Sequence, residues 1–194
     1  MREQMIRRRR ELDDAAIRNA SVNIIPRVLD FAEQMLPQSA DRELTIMSYM
    51  SFGQEFPTAG LNRSILEKGW RLVLPYTDRN FNITACVTSS LENLRRSSMG
   101  ILEPDPAISL QITASDADLI LLPGIAFDRT GMRLGFGKGC YDRFLVTSGE
   151  KKPLTAALAW SFQIVKKVPC GKQDLACDYL FTEKELIPAC RKIN

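Results

Sequence analysis

The chain has 194 residues, 45% hydrophobic and 25% charged, with a formal net charge of +3, which suits one well-buried α/β domain spanning 1–194 and is short for two. It has no histidine, and its five cysteines form no C-x-x-C pair, so histidine triads, histidine-ligated zinc and a disulfide frame are excluded and reduced thiols in a cytoplasmic setting are expected. No apolar run is long enough to cross a bilayer and no signal peptide is read, so no membrane partner is expected; the small charge excess, gathered in Arg2 and Arg7 to Arg10, argues against nucleic acid, and a monomer is favoured.

Residues 1–36 read as helical. Ile17, Ala20, Ile24, Val28, Phe31 and Met35 form an amphipathic stripe. Either Asp13 or Asp14 caps its start, and Pro26 is expected to kink or break it. The basic arm before it is read as a helix whose Arg7 to Arg10 run is an exposed face. A strand is expected over 44–50, a helix over 61–68 stopped by Gly69, and strands over 71–75 and 81–87. A loop-rich crossing at 91–106 leads to the clearest strand, 118–123, followed by a helix over 140–148 and strands over 155–160 and 179–182. Strands separated by helical pieces predict a three-layer α/β/α sandwich with a mostly parallel sheet.

The most informative segment is Arg133-Leu134-Gly135-Phe136-Gly137-Lys138-Gly139-Cys140-Tyr141-Asp142-Arg143. Alternate glycines permit positive φ and close approach of backbone to ligand. The flanking cations and successive N–H groups suit a phosphate, and Asp142 suits a magnesium ion carried on it. Walker A is excluded because Gly139, not Ser or Thr, follows Lys138; the dinucleotide fingerprint is excluded because Cys140 occupies its third glycine position. The plainer alternative is a solvated strand-to-helix turn.

Several segments together resemble the 5-formyltetrahydrofolate cyclo-ligase (5,10-methenyltetrahydrofolate synthetase) family. These are Leu121-Leu122-Pro123-Gly124-Ile125-Ala126-Phe127-Asp128 with Gly131 and the glycine segment; Ser51-Phe52-Gly53-Gln54-Glu55-Phe56-Pro57-Thr58; Gly69 with Val73-Leu74-Pro75; Gly100-Ile101-Leu102-Glu103-Pro104; and Phe162-Gln163, Val168-Pro169, Asp174 and Phe181-Thr182-Glu183. The likeness covers nearly the whole chain in order. It implies a fold related to the ribose-phosphate isomerase and CoA-transferase group. The implied activity is an ATP- and magnesium-dependent conversion of 5-formyltetrahydrofolate to 5,10-methenyltetrahydrofolate, through an iminophosphate on the substrate.

By the same resemblance, Arg2 and Arg133, Leu134, Gly135, Phe136, Gly137, Lys138, Gly139, Cys140 and Tyr141 would bind ATP, with Arg133, Lys138 and Tyr141 as catalytic groups. Met50, Glu55 and Phe136 to Cys140 would bind the folate, and Asp142 and Asp174 would hold magnesium. Local alternatives stay open: Glu55 as a solvated loop acid, Asp142 as a helix N-terminal acid, Asp174 as a turn residue, and Tyr49, Phe52 and Phe56 as core. The chain departs from the family at Phe136, Cys140 and Gln173 and is expected to lack a lysine that family members carry four residues before the counterpart of Arg2. Those departures leave a second reading: a diverged member that binds nucleotide or folate without ring closure.

Overall fold

A computed structural model of the chain describes residues 1–36, 42–53, 55–171 and 173–190. Helices α1 (Arg2–Arg10) and α2 (Asp14–Met35) precede β1 (Thr45–Met47), α3 (Ala59–Glu67) and the hairpin β2 (Arg71–Thr77) and β3 (Ile83–Val87). Short strands β4 (Arg95–Arg96), β5 (Leu102–Glu103) and β6 (Gln111–Ile112) lead to β7 (Leu119–Leu122), then to β8 (Ala126–Asp128) and β9 (Arg133–Leu134). Helix α4 (Cys140–Val146), β10 (Leu154–Ala159), β11 (Ile164–Val165), β12 (Tyr179–Thr182) and β13 (Leu186–Pro188) complete the chain.

The main sheet has eight strands in the order β13-β12-β10-β7-β1-β2-β3-β6. The five central strands β12, β10, β7, β1 and β2 run parallel, and β13, β3 and β6 are antiparallel additions at the edges. Side chains alternate between two buried faces, as period-2 strands must. One face sets Ile46, Leu72, Leu119, Leu121, Leu158 and Phe181 against Ile24, Val28 and Phe31 of α2 and Leu61 and Ile65 of α3. The other sets Met47, Val73, Ile120, Leu122, Ala157 and Leu180 against Phe144 and Leu145 of α4. The three-layer α/β architecture is therefore present, its second outer layer resting on one short helix. A small ribbon, β11-β8-β9, stands beside the main sheet.

Local chemistry shifts several expected boundaries. Asp13, not Asp14, is the cap; its carboxylate accepts from the Ala16 N–H at 2.7 Å. Pro26 neither ends nor breaks α2, which runs on to Met35. The carbonyl deprived of a donor belongs to Val22, a residue 70% exposed, where solvent can supply the missing bond. β1 ends at Met47 rather than 50. The Ser48 N–H still donates to Val73, but Thr58 and Asn62 then capture the Tyr49 carbonyl and draw the chain out of the ladder. Phe81 has φ +62° and belongs to the β2–β3 turn, where the Asp78 carboxylate accepts from the N–H groups of Asn80 and Asn82.

Candidate functional site

Parallel strands deliver their carboxyl ends to one edge of a sheet, where the connecting loops can converge. Here that edge gathers Tyr49 and Met50 after β1, Gly124 and Ile125 after β7, and Trp160 after β10. Helix α1 lies against the same region. Met5 is buried with Ile125, Ala126, Leu134 and Val168, and the Arg8 guanidinium sits 4.5 Å over the Phe162 ring.

The glycine loop leaves β9 and opens α4. Gly137 and Gly139 have φ of +88° and +63°, values that a side chain would strain. Arg2 Nε donates to the Gly135 carbonyl at 2.8 Å, fastening α1 to the loop. Arg143 donates to the Lys138 carbonyl at 2.6 Å and the Phe81 carbonyl at 2.7 Å, fastening the loop to the β2–β3 turn. Lys138 rests its ammonium 4.6 Å over the Phe81 ring. A cleft of about 590 Å³ opens beside Phe81, lined by Arg79, Arg96, Met99 and Glu103 among others.

Behind the loop, three groups close a ring. Arg133 pairs with Asp142 at 2.9 Å and donates to the Leu175 carbonyl at 2.8 Å, while the Leu175 N–H donates to Asp142 at 3.0 Å. Arg133 is 7% and Asp142 19% exposed at the side chain, so Asp142 is a half-buried ion-pair partner in the first turn of α4, not a free loop acid. Asp174 is brought next to this ring through the chain, but its Oδ2 accepts from the Gly171 N–H at 2.7 Å and so closes its own turn. Among the described residues, the other oxygen of each carboxylate has no hydrogen-bond partner. Two such oxygens, completed by phosphate oxygens and water, are what a magnesium ion takes when it arrives on a nucleotide.

The second pole of the site is built on 49–62. The Tyr49 carbonyl accepts from Thr58 Oγ1 at 2.5 Å and Asn62 Nδ2 at 3.0 Å, and Asn62 also reaches Met50 Sδ at 3.3 Å. Glu55 is half-buried and accepts from the Phe52 N–H at 3.0 Å. Burial raises its carboxyl above the ordinary value, opposed by that N–H and by the positive charge of Arg9. Tyr49 and Phe56 are core residues, whereas Phe52 is 47% exposed. Tyr141 joins the two poles. Burial and the charge of Glu55 push its phenol far above the usual range, against the pull of Arg133. It therefore stays protonated, with an O–H that is able to donate. Cys140 is likewise held as a thiol by burial, despite Arg143 nearby.

The residue that sequence reasoning misplaced is Arg9. It is 4% exposed, not part of an open charged face, while Arg7, Arg8 and Arg10 are not buried. The signal lay in spacing: Arg2, Met5 and Arg9 fall three and four apart, on one helical face directed at the protein. Phe81 and Asn62 were also absent from the expected site, because their roles depend on contacts with distant segments; Arg143, expected as a phosphate-side cation, donates to the Lys138 and Phe81 carbonyls.

The sequence model of the 5-formyltetrahydrofolate cyclo-ligase family matches residues 1–183. The chain belongs to that family. It is 30% identical over 154 residues to the 5-formyltetrahydrofolate cyclo-ligase of Mycolicibacterium smegmatis, covering 76% of this chain and 77% of the relative. It is 36% identical over 135 residues to the mitochondrial one of Arabidopsis thaliana, covering 61% of this chain and about half, 49%, of that longer relative. The NMR structure of 5,10-methenyltetrahydrofolate synthetase from Aquifex aeolicus superposes with a TM-score of 0.78 at 30% identity, covering 100% of this chain and 93% of the other. No helix among the described residues is long and apolar enough to cross a membrane.

Proposed function

We propose that this chain, acting as one unit, closes the ring of 5-formyltetrahydrofolate to give 5,10-methenyltetrahydrofolate, using magnesium-ATP and releasing ADP and phosphate in a cytoplasmic setting. The observation that carries this reading is positional. An anchored glycine loop with two positive-φ residues and a half-buried acid, Glu55, lie at the same carboxyl edge of the sheet, with Tyr141 within electrostatic reach of both Glu55 and Arg133.

The formyl oxygen is a poor leaving group until it is phosphorylated. Transfer of the γ-phosphoryl group to it releases ADP; nitrogen 10 then attacks the activated carbon and phosphate departs, the nitrogen's proton passing to solvent. Such chemistry demands alignment and charge neutralisation more than side-chain proton transfer, which a site without histidine can supply. Magnesium, when bound, would neutralise and orient the phosphates. The protein's own part is geometric. The N–H groups of 135–139 would face the phosphates and Arg2 and Lys138 would add positive charge, while Arg133 holds Asp142, which accepts from Leu175, the residue after Asp174. Glu55 and Met50 receive the pteridine, and protonated Tyr141 donates a hydrogen bond between the two substrates.

The test mixes the protein with magnesium-ATP and 5-formyltetrahydrofolate and follows the methenyl absorbance. Product formation dependent on both magnesium and ATP is expected. Binding of both substrates without product would instead mark a diverged member that has kept the site and lost turnover.

A further inference from the structure

Among the described residues, buried side-chain nitrogen and oxygen atoms without a hydrogen-bond partner belong to four residues: Arg9 Nε and Nη1, Ser48 Oγ, Asn62 Oδ1 and Trp160 Nε1. They come from α1, the residue after β1, α3 and the residue after β10, at the carboxyl edge of the sheet. Asn62 is bonded to the Tyr49 carbonyl and Met50 sulfur. Trp160 packs 4.9 Å from Phe56 and stacks on Phe162, over which Arg8 lies. Elsewhere buried polar groups are satisfied: Asp118 by Arg42 and the Thr45 N–H, Gln163 by the Gly124 and Ile125 carbonyls, and Asp128 by Thr130 and the Val168 N–H. A buried guanidinium with two nitrogens left without hydrogen-bond partners, Nε and Nη1 of Arg9, is among the most costly of such arrangements. It persists where a ligand completes it, and the concentration of orphaned groups at this edge marks where that ligand binds.

The chemistry of the ligand follows from what stands together. Arg9, with two unpartnered nitrogens, and the half-buried Glu55 are within electrostatic reach of each other, and a guanidinium with a carboxylate is complementary to an edge presenting two donors and then an acceptor. The 2-amino-4-oxo edge of a pteridine has that pattern: amino group, ring N–H, carbonyl oxygen. We infer that Arg9 donates to the 4-oxo oxygen of the pteridine while Glu55 accepts from the adjoining ring N–H and amino group, so that the pair selects 4-oxo over 4-amino folates. This assignment rests on the folate reading of the Glu55 site and extends it to a residue of α1. A 4-amino analogue turns a donor toward the guanidinium and leaves it unpaired, the kind of mismatch that gives strong discrimination. Mutual electrostatic influence between Arg9 and Glu55 agrees with their proximity.

The test measures binding of 5-formyltetrahydrofolate, its 4-amino counterpart and magnesium-ATP by calorimetry, for the full chain and for Arg9→Met and Arg9→Lys. Arg9→Met is expected to weaken the 4-oxo ligand about 10- to 100-fold, the scale of a lost charged hydrogen bond. It should bring the two folates to similar affinity and leave magnesium-ATP unchanged. Arg9→Lys should recover part of the preference. The melting temperature of Arg9→Met should not fall, because a buried charge with two unpartnered nitrogens has been replaced by an apolar chain of similar length. Retention of wild-type folate affinity and preference in Arg9→Met overturns the assignment. So does joint loss of folate and nucleotide binding with a lowered melting temperature, which would make Arg9 structural. If the unmodified protein binds magnesium-ATP but neither folate, the Glu55 reading itself fails and this assignment goes with it.

Discussion

The two poles of the site are built on opposite physical terms. At the glycine loop the chain exposes its cations and fastens its backbone: Arg2 and Arg143 tie down carbonyls, and Lys138 leans on Phe81 with its charge near solvent. At the Tyr49–Glu55 pole the charges are sequestered: Arg9 is buried with Nε and Nη1 lacking hydrogen-bond partners, and Glu55 is shifted by desolvation. A screened surface charge contributes little and can be replaced by a neighbour, whereas a desolvated charge interacts strongly with whatever enters. The loop should therefore depend mainly on its backbone shape, and the buried pole on the identity of each side chain.

The largest effect is expected where the two regimes meet. Asp142→Asn retains an acceptor for the Leu175 N–H but removes the charge paired with Arg133 and the metal-side oxyanion. Turnover should fall at least about 100-fold in the methenyl assay while the circular dichroism spectrum is preserved. Asp142→Ala should in addition cost about 2 kcal/mol in urea unfolding, because Arg133 is left without its partner. Equal activity of Asp142→Asn and the parent would remove Asp142 from the metal site.

Gly137→Ala tests the backbone argument. At φ +88° an added methyl lies 3.6 Å from Arg2 Nη2, so the strain comes from conformation rather than collision. About 1 kcal/mol of strain and a shifted loop should raise the KM for ATP roughly 10-fold and spare folate affinity. By contrast, Lys138→Gln should change the KM for ATP only a few-fold, about 3-fold, and less still at high salt. If Lys138→Gln proved the more damaging of the two, the loop would be working through charge and not through shape.

The smallest effect concerns Glu55 and stability. Its folded-state carboxyl titrates above its unfolded value because burial disfavours the charge. The folded state therefore binds more protons than the unfolded state between those two values, and stability falls as pH rises through that window. Glu55→Gln should be slightly more stable than the parent at neutral pH, with the difference vanishing as pH drops below the ordinary carboxylate range. The same substitution should weaken folate binding and leave ATP binding intact. A stability difference that grows on acidification would contradict the sign.

Much of the architecture was legible because period and breaker residues act locally. Leu119 to Leu122, four apolar residues buried on both faces, and Tyr179 to Thr182 could be placed without any partner, and Gly69 with φ +72° ended α3 as its composition suggests. The family likeness of 133–143 was legible too, since alternate glycines between cations are rarely ornamental. The antiparallel β2–β3 hairpin was not, because Asp78 organises that turn through its own side chain rather than through a Gly-containing pair.

By itself the sequence determined the layered α/β class, the glycine loop and the absence of histidine chemistry, all properties of neighbouring residues or of composition. Only the tertiary structure decided that Asp142 is paired with Arg133, that Asp174 turns toward Gly171, and that Arg9 leaves its charged neighbours to lie buried near Glu55. Those facts depend on burial and on partners remote in the chain. Burial sets the strength of a charge interaction, and no local pattern records it.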